Sequence, residues 1–189
     1  MDRGRESGDT PPMNSEVTLR RLATRDAEGV LAAFQSSDDM GSQGQVRTLP
    51  DAQAYVSRLL DPANSSVPWA ICDKRDALVG LVVVSVDTAN RTGWFWYWLH
   101  AAHRGHGLAS RAAATVAGWA LGEGGLERLE LGHRANNPAS RGVALAAGFI
   151  QEGLEREKFL VDGERVDVFT YGRLRSDPAP NTSGLPLTL

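Results

Sequence analysis

The chain has 189 residues, enough for one ordinary domain with some tail and too few for two large ones. Apolar residues make up 42% and charged residues 23%, a globular balance that excludes fibrous and mostly disordered chains. Twenty Lys and Arg against 23 Asp and Glu leave a net charge of −3, so no overall field favours nucleic acid or an anionic membrane, and an anionic ligand has to be gripped locally.

Residues 1–14 are charged and rich in Gly and Pro, which predicts a disordered tail; no apolar segment follows Met1–Arg5, so no secretion signal is expected. Val17 and Leu19 predict a first strand, and Thr24 or Asp26 can cap a helix carrying Val30, Leu31 and Phe34. A polar stretch, Ser36–Gln45, follows; Asp38 and Asp39 within it read as solvated carboxylates. Leu49-Pro50-Asp51 opens a second helix with Tyr55, Val56, Leu59 and Leu60 inward. Val67–Cys72 and Leu78–Val86, joined by Asp73-Lys74-Arg75-Asp76, predict antiparallel strands two and three. The single cysteine, Cys72, excludes an intrachain disulfide and a cysteine-rich zinc site, which points to a reducing, cytoplasmic setting with no metal. Ala77–Val86 is the most apolar run and is far too short to span a bilayer.

Trp94–Leu99 predicts strand four, with Trp94, Trp96 and Trp98 on one face and Phe95 and Tyr97 on the other, either lining a pocket or filling space under helices. A glycine-broken turn and a helix with Leu108, Ala112, Val116 and Trp119 on one face come next, then strand five at Leu126–Leu131. Asn137-Pro138 starts a further helix stopped by Gly148, strand six begins at Phe149, and Asp162-Gly163 turns it into a last strand through Val166, Val168 and Thr170. Residues 176–189 hold Pro178, Pro180 and Pro186 without apolar period and read as a second disordered tail, which leaves 15–175 as the folded domain. The pattern predicts an α/β domain with a parallel strand-helix-strand middle flanked by antiparallel hairpins.

The sharpest chemical signal is His103-Arg104-Gly105-His106-Gly107-Leu108-Ala109, a glycine-rich turn where strand four hands over to a helix N-terminus. Free amide N–H groups, the helix dipole and Arg104 favour an anion there, whereas an ordinary glycine turn is the plain alternative. No Lys follows the glycines as in a Walker turn, and the spacing of Gly105, Gly107 and Ser110 meets the dinucleotide fingerprint only in part.

Arg104-x-x-Gly107-x-Ala109 resembles the Arg/Gln-x-x-Gly-x-Gly/Ala signature of the GNAT acetyltransferase superfamily. Thr48-Leu49-Pro50-Asp51-Ala52, Trp96-Tyr97-Trp98-Leu99, Asn137-Pro138-Ala139-Ser140 and Gly148–Gly153 are similar to its subfamily that acetylates N-termini of ribosomal proteins, in the same order over about residues 17–174. The resemblance implies a single GNAT-like domain, a mixed sheet of about seven strands with flanking helices and a V-shaped splay between strands four and five. It further implies acetyl-CoA as co-substrate, its pyrophosphate on the turn Arg104, Gly105, His106, Gly107, Leu108, Ala109 and Ser110. The pantetheine arm would run along Trp98, Leu99, His100 and Ala101, with Asn137 touching it.

Direct attack by a primary amine, in a protein N-terminus or a small molecule, would then use a strand-four N–H near Leu99 for the oxyanion and Ser140 as the acid for the departing sulfur. Ser140 also reads as an ordinary first-turn serine. The glutamate that many relatives use as a base is replaced by Trp94, leaving Tyr97, His100, His133, a water chain or an already neutral amine. A non-catalytic acyl-CoA sensor or scaffold is the rival reading, and a homodimer is compatible with either.

Overall fold

The computed structural model describes residues 17–189, so the expected tail at 1–14 lies outside it. The elements in chain order are β1 (Thr18–Arg21), α1 (Ala27–Gln35), α2 (Leu49–Leu60), β2 (Ser66–Cys72), β3 (Leu78–Asp87), β4 (Thr92–Leu99), α3 (Leu108–Leu121), β5 (Arg128–Arg134), α4 (Pro138–Ala146), β6 (Ile150–Val161) and β7 (Glu164–Leu174). They form one seven-stranded sheet ordered β1-β2-β3-β4-β5-β7-β6, antiparallel except for the β4/β5 pair. The predicted mixed α/β architecture is therefore observed.

Sequence dictates the element ends. At the start of α2 the Thr48 hydroxyl accepts the Asp51 N–H at 3.3 Å while the Asp51 carboxylate accepts the Thr48 N–H at 2.9 Å, with Pro50 in the first turn. Asp162 and Gly163, both at positive φ (51° and 85°), make the tight turn joining β6 to β7. At the far ends of α3 and α4, arginines from and just after β7 satisfy carbonyls that helix geometry leaves free. Arg173 donates to Ala147 O at 2.7 Å, and Arg175 donates to Leu121 O and Leu126 O, each at 2.8 Å.

The core has two layers because β3 and β4 are covered on both sides. Val82, Val84, Phe95 and Leu99 pack toward α3 and α4, whereas Leu81, Val83 and Trp98 pack toward α1 and α2. The alternation predicted for the tryptophans holds, with different fates: Trp98 is buried beside Phe34, Trp96 is half-buried, and Trp94 is 43% exposed.

The β4/β5 pairing covers Thr92–Trp94 against Arg128–Glu130 and then stops. Gly93 permits the close approach at this closed end, since a Cβ there would come within 2.5 Å of a Val84 methyl and 2.8 Å of one on Leu126. Past Trp94 the two strands part, while β5 keeps its pairing with β7 on its other edge from Arg128 to Arg134.

Residues 176–189, expected from the sequence to be a disordered tail, make specific contacts with the domain. Thr182 donates to Ala146 O at 2.6 Å, Leu185 N–H bonds the Thr115 hydroxyl at 2.8 Å, and Leu187 pairs in parallel with Leu19 of the edge strand β1. Leu185 is buried to 5%. The prolines mask a strap held by two apolar side chains and by backbone groups that the β1 edge leaves open.

Candidate functional site

The site grows out of the splay. His100 N–H bonds Val79 O at 2.9 Å, and β4 runs antiparallel to β3 in register, so alternation turns the N–H groups of Trp96 and Trp98 toward β3. Those of Tyr97 and Leu99 consequently point into the gap left by β5. Leu99 O is already taken by Arg104 Nε at 3.1 Å, which leaves donors on this stretch of strand.

After β4 the chain makes a 3-10 turn, Ala101–His103, and then the glycine loop. Gly105 (φ +83°) and Gly107 (φ +71°) hold left-handed conformations, and Gly107 is the N-cap of α3. A Cβ on either would meet nothing within 4 Å, so the space over both is open. Exposed Gly105, His106 and Gly107 precede buried Leu108, and the first-turn amides of α3 follow with no side-chain cap. Open, uncapped amides at a helix N-terminus are able to receive an anion.

Across the gap stands the start of α4. Asn137 caps it, its Oδ1 accepting the Ser140 N–H at 3.1 Å, which orients the Ser140 side chain toward β4. Tyr97 meets it there: its hydroxyl lies 2.8 Å from Ser140 Oγ and donates to Ser140 O at 3.2 Å. Burial, moderated by the Ser140 contact, pushes the Tyr97 phenol up to about 12, so at neutral pH it holds its proton and is an acid rather than a base.

The Tyr97–Ser140 pair lies on the boundary of two connected cavities. One, about 450 Å³, runs from Trp98 and Leu99 past Arg104, Gly105, Gly107, Leu108, Ala109 and Ser110. The other, about 930 Å³, opens between Trp96, His133, Asp38 and the Phe159–Asp162 end of the last hairpin. Asp39, Ser42, Gln43, Arg134, Asn137, Tyr97 and Ser140 line both.

Of the sequence-selected residues, Tyr97, Ser140 and Asn137 converge at the junction and most of the glycine turn lines the smaller chamber. His100, Ala101 and His106 do not line either chamber. His100 accepts the Ala102 N–H through Nδ1 at 3.2 Å, and burial together with His103 and Arg104 lowers its pKa. Ala101 N–H is bound by Ser36 Oγ at 3.0 Å. His133 is a satisfied core histidine: Nδ1 faces Arg134 O at 2.9 Å, Nε2 faces the Tyr171 hydroxyl at 3.0 Å, and the ring stacks on Tyr171. A carbonyl can only accept, so Nδ1 carries the proton and Nε2 is occupied by Tyr171.

Sequence reasoning missed Arg134 and set Asp39 aside. Arg134 ends β5 at its carboxyl edge, the place where open α/β sheets receive ligands, and that position was the available signal. Asp39 pairs with Arg104, Oδ2 to Nη1 at 2.8 Å. Partial burial would raise its carboxyl, but Ser37, Arg104 and Arg134 outweigh that and hold it below the usual range. Among the described residues, no cluster of three or more His, Cys, Asp or Glu could hold a metal, and no helix is long and apolar enough to cross a membrane.

The sheet splits after one short parallel contact, with a glycine-broken helix start at the opening. Residues 16–150 match the acetyltransferase (GNAT) domain family, and the chain belongs to it. The ribosomal-protein-serine acetyltransferase of Escherichia coli is 36% identical over 103 residues, spanning 53% of this chain and 57% of that protein. A Bacillus subtilis protein that bears the name putative ribosomal N-acetyltransferase YdaF is 28% identical over 182 residues, 89% of this chain and 96% of its own. RimL, a ribosomal alpha-N-protein acetyltransferase solved in complex with coenzyme A, superposes with a TM-score of 0.77 at 19% identity, covering 86% of this chain and 96% of that one. The chain is thus an acyltransferase of the N-acetyltransferase kind.

Proposed function

We propose that the protein moves an acetyl group from acetyl-CoA to the α-amine of a protein N-terminus. The observation that carries this reading is the meeting of the two chambers at Tyr97 and Ser140, which gives each substrate its own approach to one pair of hydroxyls. The smaller chamber suits the co-substrate: open glycine amides for its pyrophosphate and unpaired β4 donors for its amide-bearing arm. Asn137 offers its Nδ2, since its oxygen is spent on the α4 cap.

In the reaction the amine nitrogen attacks the thioester carbonyl carbon while the Leu99 N–H steadies the developing oxyanion. The new C–N bond forms as the C–S bond breaks. The sulfur takes a proton from Ser140, whose proton is replaced through Tyr97 from solvent, and the surplus proton of the amine passes to water.

The acceptor class follows from the weakness of the bases at the junction. Tyr97 is pushed up to about 12 and protonated, His133 is tied up, and Asp39 is held below the ordinary carboxylate range. An α-amine, with a pKa of about 8, is already partly neutral at physiological pH and needs no strong base, whereas a lysine or polyamine amine near ~10.4 does. The ribosomal-protein acetyltransferases similar to this chain point the same way. The carboxylates of Asp38, Asp39 and Asp162 on the larger chamber favour a polyamine as the second reading. A reducing, cytoplasmic setting suits Cys72, a fully buried thiol that burial pushes up to about 12.

Thiol release from acetyl-CoA, measured with serine-initiated and alanine-initiated peptides beside spermidine, separates the readings. Higher kcat/KM for a peptide supports N-terminal transfer, higher kcat/KM for spermidine replaces it with the polyamine reading, and coenzyme A binding without transfer to any amine supports the non-catalytic sensor.

A further inference from the structure

The loop between α1 and α2 is fastened to the co-substrate turn at two points. Ser36 Oγ accepts the Ala101 N–H at 3.0 Å, and Asp39 Oδ2 accepts from Arg104 Nη1 at 2.8 Å. Between and beyond them the loop forms a 3-10 segment, Asp38–Gln43, pinned by Met40, which is 2% exposed. The backbone of Asp39 is therefore anchored, while its largely exposed carboxylate, bonded to Arg104 and Ser37, has room to exchange the arginine for another cation. Asp39 also faces both chambers, and Arg104 sits on the wall of the smaller one.

We propose that the Arg104–Asp39 ion pair is a latch coupling the two chambers, in which the phosphate groups of acetyl-CoA draw Arg104 away from Asp39 and free that carboxylate to receive the cationic end of the acceptor. The inference rests on the reading that the 104–110 turn holds those phosphates. Two effects act in the same direction. The guanidinium keeps its Nε anchor on Leu99 O, so a small side-chain rotation presents its remaining N–H donors to an anion on the adjacent glycine amides. The incoming negative charge also disfavours a neighbouring carboxylate that has lost its counterion, and a cation restores the balance.

Arg134 is the second cation acting on Asp39, and it remains at the junction when Arg104 turns. It keeps Asp39 ionised without closing the chamber. Asp39 is thus a positioning residue: it sets the order of binding, co-substrate before acceptor, and takes no part in bond making. Thermodynamic reciprocity requires that a bound acceptor strengthen co-substrate binding by the same factor.

The pair is half-exposed, with side-chain exposures of 36% and 59%, so the coupling amounts to a factor of about two to five. The test is calorimetric titration of coenzyme A into the unaltered protein and into Asp39→Asn and Asp39→Glu, each with and without a serine-initiated peptide and, separately, spermidine. The expected result for Asp39→Asn is tighter coenzyme A binding by about two- to five-fold, because the competing carboxylate is gone. Its acceptor KM rises, its kcat is unchanged, and neither amine alters its coenzyme A affinity. Asp39→Glu keeps the charge and restores the coupling, which a merely structural role would not do. Unchanged coenzyme A affinity in Asp39→Asn, or coupling that survives the substitution, overturns the latch while leaving the co-substrate site standing. Failure of coenzyme A to bind the unaltered protein overturns the site and the latch together.

Discussion

In the proposed reaction Tyr97 brings a protonated hydroxyl to the point where the thiolate would leave, and its contact with Ser140 would make the two side chains one proton-carrying unit. Replacing Ser140 with Ala, or Tyr97 with Phe, is expected to lower kcat by about ten- to a hundred-fold with coenzyme A affinity nearly unchanged, as rapid-quench and binding measurements on the same variants would show. The pH profile follows from the same pair. The rate should rise as the acceptor α-amine loses its proton near pH ~8 and then hold a plateau, because a phenol pushed up to about 12 keeps its proton over that range. A rate that falls between pH 8 and 10, in a protein shown to stay folded, would mean that Tyr97 does not replenish the proton that Ser140 passes to the sulfur. The residues of this unit were visible in the sequence through the motif around Asn137 and the aromatic run before the turn. The Asp39–Arg104 pair was not, because its partners are 65 positions apart and only the fold brings an ordinary solvated aspartate to the turn.

The elements were legible where local chemistry dictates them. Thr48 and Asp51 announce α2, Asn137-Pro138 announces α4, and Asp162-Gly163 forces the hairpin, each through bonds within four residues. Periodicity could not place the ends of β5, which runs to Arg134 rather than stopping at Leu131, since Gly132, His133 and Arg134 carry no apolar side chain yet still pair with β7. The glycine turn gives an element-scale prediction. Gly107 sits at φ +71° at the head of α3, so Gly107→Ala adds about 1 kcal/mol of backbone strain and narrows the cradle. Weaker coenzyme A binding with a thermal midpoint lowered by only a few degrees is expected. At the start of α4, Asn137→Ala removes the cap and costs about 1 kcal/mol, read as a lower denaturant midpoint, while also freeing Ser140 from its orientation.

At the scale of the molecule, one face of the sheet supplies the loop that borders the larger chamber, the other supplies α3 and α4, and the splay between β4 and β5 connects them. The 176–189 strap closes the opposite margin by covering β1 and filling a groove beside α3 with Leu185. Such a segment escapes sequence reading because two useful leucines among prolines carry no period. Leu185→Ala should cost about 2–3 kcal/mol in urea unfolding, and removal of residues 179–189 should in addition produce self-association through the bared β1 edge, seen by light scattering. An unchanged midpoint and a monodisperse truncated protein would show that the strap is ornamental to stability.

In the proposed reaction two chambers meeting at Tyr97 and Ser140 deliver an acetyl group to an α-amine. This delivery is tested most directly by tandem mass spectrometry of a serine-initiated peptide containing one internal lysine after incubation with acetyl-CoA and the protein. Acetyl is expected on the α-nitrogen, with near-complete loss in a protein carrying both Tyr97→Phe and Ser140→Ala. Acetyl on the lysine, or an α-acetyl yield that survives the double substitution, would contradict it.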